Sequence, residues 1–252
     1  LGLASGETFA GATYSPLKAT TLSVGYSQQR EDWRDLDGVS EIERNIQRQL
    51  GAREAEALTI GVEQKVTKNL SVNAQYTYLR EEDAVLGAQT GSAALLGEGS
   101  RTNAVTVSAS MDLGDGFSFD LSATGGATQT AQGQILATSR DVMSSAGQFT
   151  VNKRGVMGSQ DILRVSVGQP MTVERGELEL RSDQVIDRLT GERGVVTQTI
   201  GISTKRRYTG EIVYATPVSK ASELGIVGRY ISAGEIGQDE SFMIGANFGM
   251  RF

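Results

Sequence analysis

Apolar and polar residues alternate along much of this chain with a period of two. From Ser241 to Phe252 one parity reads Phe242, Ile244, Ala246, Phe248, Met250, Phe252, and the other reads Ser241, Met243, Gly245, Asn247, Gly249, Arg251. A strand sends successive side chains to opposite faces, so this segment predicts a strand with one apolar face and one small, polar face. The pattern recurs. Leu70, Val72, Ala74, Tyr76 and Tyr78 alternate with Ser71, Asn73, Gln75 and Thr77. Leu22, Val24 and Tyr26 alternate with Thr21, Ser23, Gly25 and Ser27. Phe117, Phe119, Leu121 and Ala123 alternate with Ser118, Asp120, Ser122 and Thr124. Residues 104–111 and 57–63 repeat it, with Val105, Val107, Leu58 and Ile60 on their apolar parities.

Eleven strands are predicted, over 5–14, 20–33, 54–66, 70–81, 101–112, 117–128, 146–156, 161–183, 195–216, 223–232 and 241–252. The connections sort into two alternating classes. Ser15–Ala19, Thr67–Asn69, Gly114–Gly116, Met157–Gln160 and Pro217–Ser222 are short; 34–53, 82–100, 129–145, 184–194 and 233–240 are long. Hairpin turns in an up-and-down barrel must alternate sides, and outer-membrane barrels carry short periplasmic turns and long extracellular loops. The strand at 146–156 is poorly patterned, because Lys153 and Arg154 interrupt it. Segments 161–183 and 195–216 exceed one membrane crossing, so they either project beyond it or hide an extra hairpin. In the loop at 34–53, Ser40 and Glu43 fit a capping box, and Ile42, Ile46 and Leu50 share a helical face, so either a short helix or a solvated loop is expected there.

Alternation also fits a soluble β-sandwich with one wet face. Segments of about ten residues exceed the usual sandwich strand, and aromatics near strand ends match the girdles of a membrane barrel. The reading is an all-β, antiparallel up-and-down transmembrane barrel occupying 1–252 as one domain. Single-chain bacterial barrels have even strand counts. Eleven strands therefore predict about twelve in all, with the first strand missing from this chain.

Composition narrows the chemistry. The 252 residues include 31 Gly and 3 Pro, and neither Cys nor His. Without His, the usual base of Ser and Cys hydrolases and the commonest zinc ligand are missing, and no enzyme activity, metal or cofactor is expected. The net charge of -6 comes without a polybasic run, so no nucleic-acid partner is expected. No apolar run reaches the ~18 residues of a membrane helix, but barrel strands need only about 9–11 residues each. Neighbouring carboxylates at Glu81 and Glu82, and at Asp239 and Glu240, belong to opposite strand faces and suggest solvated loops rather than an acid–base pair. Charges on the polar parity are Glu63, Asp120, Arg164, Glu211, Arg229 and Arg251. An Arg or Lys turned into lipid costs about 2–4 kcal/mol at the midplane, so these six are candidates for the wall of a lumen.

Short motifs resemble a known family. The run Asp161-Ile-Leu-Arg-Val-Ser-Val-Gly-Gln-Pro-Met-Thr-Val-Glu-Arg-Gly176 resembles the "QPL-x-VE-x-G" strand of translocator domains in subtilisin-like serine-protease autotransporters. Gly210-Glu-Ile-Val-Tyr-Ala-Thr-Pro217 is similar to their "E-x-x-Y-x-x-P" strand, and Thr13-Tyr-Ser-Pro16 to an earlier "Y-S-P" turn. The terminal Phe248, Met250 and Phe252 resemble the C-terminal signal read by the barrel assembly machinery. The resemblance implies a twelve-stranded barrel in the bacterial outer membrane, with a helix threading the pore and an N-terminal passenger displayed on the cell surface. It implies lipids, the assembly machinery and the passenger as partners, a periplasmic C-terminus and extracellular long loops. The pore helix and passenger are expected to lie outside this chain. A passive outer-membrane channel and a soluble adhesion domain are the rival readings.

Overall fold

The computed structural model describes residues 8–31, 53–82, 84–85, 88–89, 99–130, 136–219, 222–234 and 239–250. Among them the regular structure is entirely strand. In chain order these are β1 (Thr8–Leu17), β2 (Thr20–Glu31), β3 (Arg53–Lys65), β4 (Leu70–Glu82), β5 (Ala84–Val85), β6 (Ala88–Gln89) and β7 (Ser100–Gly114). They continue as β8 (Phe117–Thr130), β9 (Leu136–Arg154), β10 (Ile162–Asp187), β11 (Glu192–Ile202), β12 (Thr209–Ser219), β13 (Ser222–Ile231) and β14 (Ser241–Met250). Twelve strands form one antiparallel up-and-down sheet in the order β1-β2-β3-β4-β7-β8-β9-β10-β12-β13-β14, with β11 attached to β10 off that path; β5 and β6 pair separately. The sheet is open, with β1 and β14 as the edges of the path. Eleven strands alternate in direction along the path, so both edges run the same way.

Within the described residues each segment expected from alternation contains a strand, and the differences have physical causes. Residues 129–145, expected as a loop, are mostly strand: β8 runs to Thr130 and β9 begins at Leu136. Here β9 pairs with β10 beyond the body of the sheet, Glu177 opposite Arg140 and Leu180 opposite Leu136, where the alternation that marks the other strands is lost. Residues 184–194 are likewise strand around a tight turn, closed by the N–H of Gly191 donating to the carbonyl of Asp187 at 2.9 Å. The long segments hide no extra hairpin within the sheet body. Instead 195–216 breaks at 203–208 into β11 and β12, and β10 pairs with each in turn. Pro16 and Pro217 lie inside strands, each beside a register shift and near a strand end, where a missing ladder donor is tolerated. The proposed helix at 34–53 lies outside the described residues.

Register then sorts every side chain. One rung crosses the sheet through Ser71, Ser110, Asp120, Thr150, Ser166, Glu211 and Arg229. The next rung crosses through Val72, Ala109, Leu121, Phe149, Val167, Gly210, Tyr230 and Phe242. The first belongs to a polar face, the second to an apolar face. Burial is inverted relative to a soluble protein. The apolar face is exposed, with Phe242 at 69%, Leu121 at 56% and Val107 at 50%. The polar face holds most of the buried residues, among them Thr102, Thr106, Thr124, Thr128 and Thr150, and the small apolar cluster of Ala55, Ala57 and Leu79.

Turns on the short side are built to stay short. Gly114, Asp115 and Gly116 all have positive φ, at 79°, 51° and 79°, and the Gly114 N–H donates to the Asp112 carboxylate at 2.8 Å. A left-handed conformation costs an L-residue about 1–2 kcal/mol. A Cβ on Gly116 would also stand 2.7 Å from the Arg154 carbonyl oxygen, whereas one on Gly114 meets nothing within 4 Å. Gly114→Ala is expected to lose only the conformational cost, and Gly116→Ala to lose distinctly more, measured as the shift in urea midpoint of the folded protein. Equal losses would refute the role assigned to this close approach.

Candidate functional site

The polar face between β7 and β10 is the most chemically furnished region. Asp120 accepts from the Ser110 hydroxyl at 2.6 Å and from the Asn152 amide at 3.0 Å, and Asn152 also donates to Ser118 at 3.3 Å. A cavity of about 250 Å³ opens here, lined by Ser110, Asp120, Ser122, Thr150, Asn152 and Arg164. Arg164 enters this cavity without forming an ion pair among the described residues. Farther across, Arg229 donates to Glu211 at 2.9 and 2.5 Å. Threonine pairs bridge neighbouring strands on the same face, Thr102 to Thr128 at 2.8 Å and Thr106 to Thr124 at 2.9 Å; each such cross-strand pair is worth about 0.2–1 kcal/mol.

Of the six charges singled out by parity, the registers put Glu63, Asp120, Arg164, Glu211 and Arg229 on this one face. They do not form one cluster: Glu211 and Arg229 neutralise one another, while Asp120 lines both the cavity with Arg164 and an adjoining cleft with Glu63 and Lys65. Arg251 and Phe252 lie outside the described residues. Phe248 stands on the apolar face, 59% exposed, and Met250 closes β14 opposite Ser222. The adjacent carboxylates separate as strand geometry requires. Glu81 is buried on the polar face and accepts from Ser100, while Glu82 pairs with Arg80 at 3.1 Å. Among the described residues no cluster of three metal-ligating side chains occurs.

The rims of the apolar face carry aromatics whose polar ends are engaged. Toward the long loops, Tyr26 donates to Glu56 at 3.3 Å, Tyr76 to Asn103 at 2.6 Å and Tyr230 to Glu240 at 3.1 Å. Toward the short turns, Phe119 stacks on Phe149 with centroids 5.9 Å apart. Lys153, which seemed to spoil the pattern of β9, places its ammonium 4.2 Å from the Phe117 ring and donates to the Asp115 carbonyl at 2.5 Å. Its stem lies along the apolar face while its charge reaches the turn, as long cationic side chains at interfaces do.

Two of the segments quoted from the sequence, 161–176 and 210–217, meet in space. Asp161, fully buried, accepts from the N–H groups of Val156 at 2.7 Å, Met157 at 2.7 Å and Gly158 at 2.9 Å, and from the Tyr214 hydroxyl at 2.9 Å. It therefore ties the β9–β10 turn to β12. Gln169 and Glu174 both bond Ser145 across the bulged middle of β10, at 3.0 and 2.5 Å, and Arg206 grips Glu174 at 3.1 and 2.8 Å. Parity alone did not single out Asp161 or Glu174 as structural anchors. An Asp closing a Gly-containing turn before a strand was the available signal for the first; the second depends on a partner 32 residues away.

A comparison with models of known protein families finds no match, and a comparison with curated proteins finds none either.

The Asp161 carboxyl has a clear pH signature. Burial pushes it up, but the Met157 N–H, the Tyr214 hydroxyl and the Gly158 and Val156 N–H groups together hold it down, to about 2 against an ordinary 3.8. A carboxylate depressed on folding stabilises above its unfolded value and loses that contribution as pH falls through its folded value. The stability gap between the wild type and Asp161→Asn is expected to be full at neutral pH and to close between about pH 4 and pH 2, read from urea midpoints across that range. A gap that stays constant to pH 2 would contradict the clamp.

Proposed function

We propose that this chain is a bacterial outer-membrane β-barrel that exports a passenger N-terminal to it and anchors that passenger on the cell surface. The observation that carries the membrane part is the inverted distribution of side chains: aliphatic and aromatic residues cover the exposed face, while hydroxyls, amides and charges occupy the face with the buried positions. In water, an unbroken apolar face of this extent marks an interaction surface or an aggregation hazard. In a bilayer it is the stable arrangement, because strands satisfy their backbone groups by pairing and only side chains meet acyl chains. Closing an antiparallel path whose two edges run the same way takes one further strand between β1 and β14.

Export rests on three supports. The short-turn and long-loop ends differ as the periplasmic and extracellular ends of such barrels do. The polar face gives an unfolded polypeptide a hydrated wall to slide along. The motifs at 161–176 and 210–217 resemble those of autotransporter translocators, and their residues do interlocking work in the Asp161–Tyr214 contact. In this reading the chain does no covalent chemistry. Its partners are outer-membrane lipids, the assembly machinery and the passenger, and Phe248, Met250 and Phe252 form the assembly signal.

Two neighbouring residues on β7 separate the membrane reading from a soluble one. Val107→Arg is expected to destabilise the protein refolded in bilayers by about 2–4 kcal/mol, and Ser108→Arg by little, since Arg tolerates a wet wall and not lipid. On a soluble sheet, Arg at a half-exposed position costs within about 0.5 kcal/mol, and that result for Val107→Arg would overturn the membrane assignment. For export, a reporter domain fused ahead of the chain and expressed in bacteria is expected to be shaved from intact cells by added protease. A heat-modifiable, membrane-inserted barrel whose reporter stays protected would leave a barrel and remove the exporter.

A further inference from the structure

Toward the long loops the apolar face of the sheet ends in charge. Arg80 of β4 and Arg101 of β7 are cross-strand partners there, two residues beyond the Tyr78–Asn103 pair and four beyond the Tyr76–Val105 pair. Alternation puts both arginines on the face of Val72 and Ala109, just past its tyrosines. Residues directly opposite one another stand about 4.5–5.5 Å apart at Cβ, and like charges so placed repel. The described residues do not relieve this. Arg80 gives one N–H to Glu82 at 3.1 Å, and the exposed Arg101 has neither a hydrogen bond nor an ion pair among them. The neighbouring carboxylates are engaged elsewhere. Glu56 accepts from Tyr26 at 3.3 Å, Glu54 from Gln28 at 2.9 Å and Asp141 from Gln129 at 2.7 Å.

Two more donors adjoin the arginines. Asn103 spends its amide oxygen on the Tyr76 hydroxyl at 2.6 Å, which leaves its NH2 group without a partner among the described residues. The Tyr78 hydroxyl has none there either. Two guanidiniums, an amide NH2 and a phenol O–H thus meet at the end of one cross-strand pair. An anion with several acceptor oxygens satisfies such a set, and phosphate matches the planar fork of Arg in particular.

We infer that Arg80, Arg101, Asn103 and Tyr78 form a binding site for the phosphate of a lipid in the leaflet on the long-loop side. The anion follows from the opposed arginines, whatever surrounds the sheet. Its lipid source rests on the membrane reading and has support of its own. Directly below the donors lie the exposed side chains of Tyr76, Val105 and Val107, a bed for acyl chains from which inorganic phosphate would gain nothing. An outward Arg is costly at the bilayer midplane and tolerated near the interface, and this pair stands past the tyrosines, at the level of headgroups. Bound phosphate turns a repulsive pair into a clamp between β4 and β7, so the lipid stabilises the folded barrel by mass action.

The test compares urea midpoints of the whole protein in vesicles of phosphatidylcholine, alone or with phosphatidic acid, whose phosphate monoester is the probe. Phosphatidic acid is expected to raise the wild-type midpoint and to leave that of Arg101→Gln unmoved. Arg140→Gln removes the same charge from a residue paired with Glu177 and is expected to respond as the wild type does. In phosphatidylcholine alone, Arg101→Gln is expected to be no less stable than the wild type, because it relieves a repulsion; the same measurement shows that the variant folds. Native mass spectrometry in detergent is expected to give Arg101→Gln an affinity for phosphatidic acid about tenfold weaker. Inorganic phosphate added to the phosphatidylcholine vesicles is expected to produce none of the shift. A wild-type midpoint indifferent to phosphatidic acid, an equal rise in Arg101→Gln, a loss of stability in that variant without anionic lipid, or an equal rise with inorganic phosphate would overturn the proposal. Heat-modifiable migration of the same samples reports on the membrane reading separately. An inserted barrel blind to phosphatidic acid fails only the site, and a protein that binds phosphatidic acid in detergent but never inserts keeps the anion site and loses the membrane.

Discussion

The structure depends on register. In a single antiparallel sheet the backbone ladder locks each residue opposite one partner, and paired residues share a face. Once one strand commits its Val, Leu and Phe parity to one side, every neighbour must follow, because a slip of one residue would turn its apolar set to the other face. The rung from Val72 to Phe242 and the adjacent rung from Ser71 to Arg229 are that constraint made visible across the sheet. Register shifts accumulate where β9 pairs with β10 between Gln169 and Leu178, and there the regular alternation of the sheet body ends.

The same constraint explains what was legible in the sequence. Strands of the sheet body announce themselves because one face must be apolar and the other polar; β4, β7, β8 and β14 follow the expected boundaries closely. The beginning of β9 and the far half of β10 did not, because bulges break the period that sequence reading relies on. Lys153 looked like an interruption for a related reason. Its place at a strand end, over Phe117 and within reach of the Asp115 carbonyl, shows only in three dimensions.

Placement of the charges was legible as to face and not as to partner. Parity put Glu63, Asp120, Arg164, Glu211 and Arg229 together, and the registers agree. That Glu211 meets Arg229 while Arg164 stands in a cavity with Asn152 follows from strand adjacency, which no single segment encodes. The Asp161–Tyr214 contact, spanning 53 residues, is of the same kind. It joins segments 161–176 and 210–217 and holds the β9–β10 turn against β12.

What surrounds the apolar face is the central question, and side-chain accessibility answers it directly. Spin labels placed singly along β7 in bilayer-reconstituted protein would be read against lipid-dissolved oxygen and a water-soluble nickel reagent. The account predicts a period of two: Val105, Val107 and Ala109 positions relaxed by oxygen, and Ala104, Thr106 and Ser108 positions by nickel or by neither. Nickel reaching Val105, Val107 and Ala109 as freely as it reaches a loop would place that face in water and contradict the account.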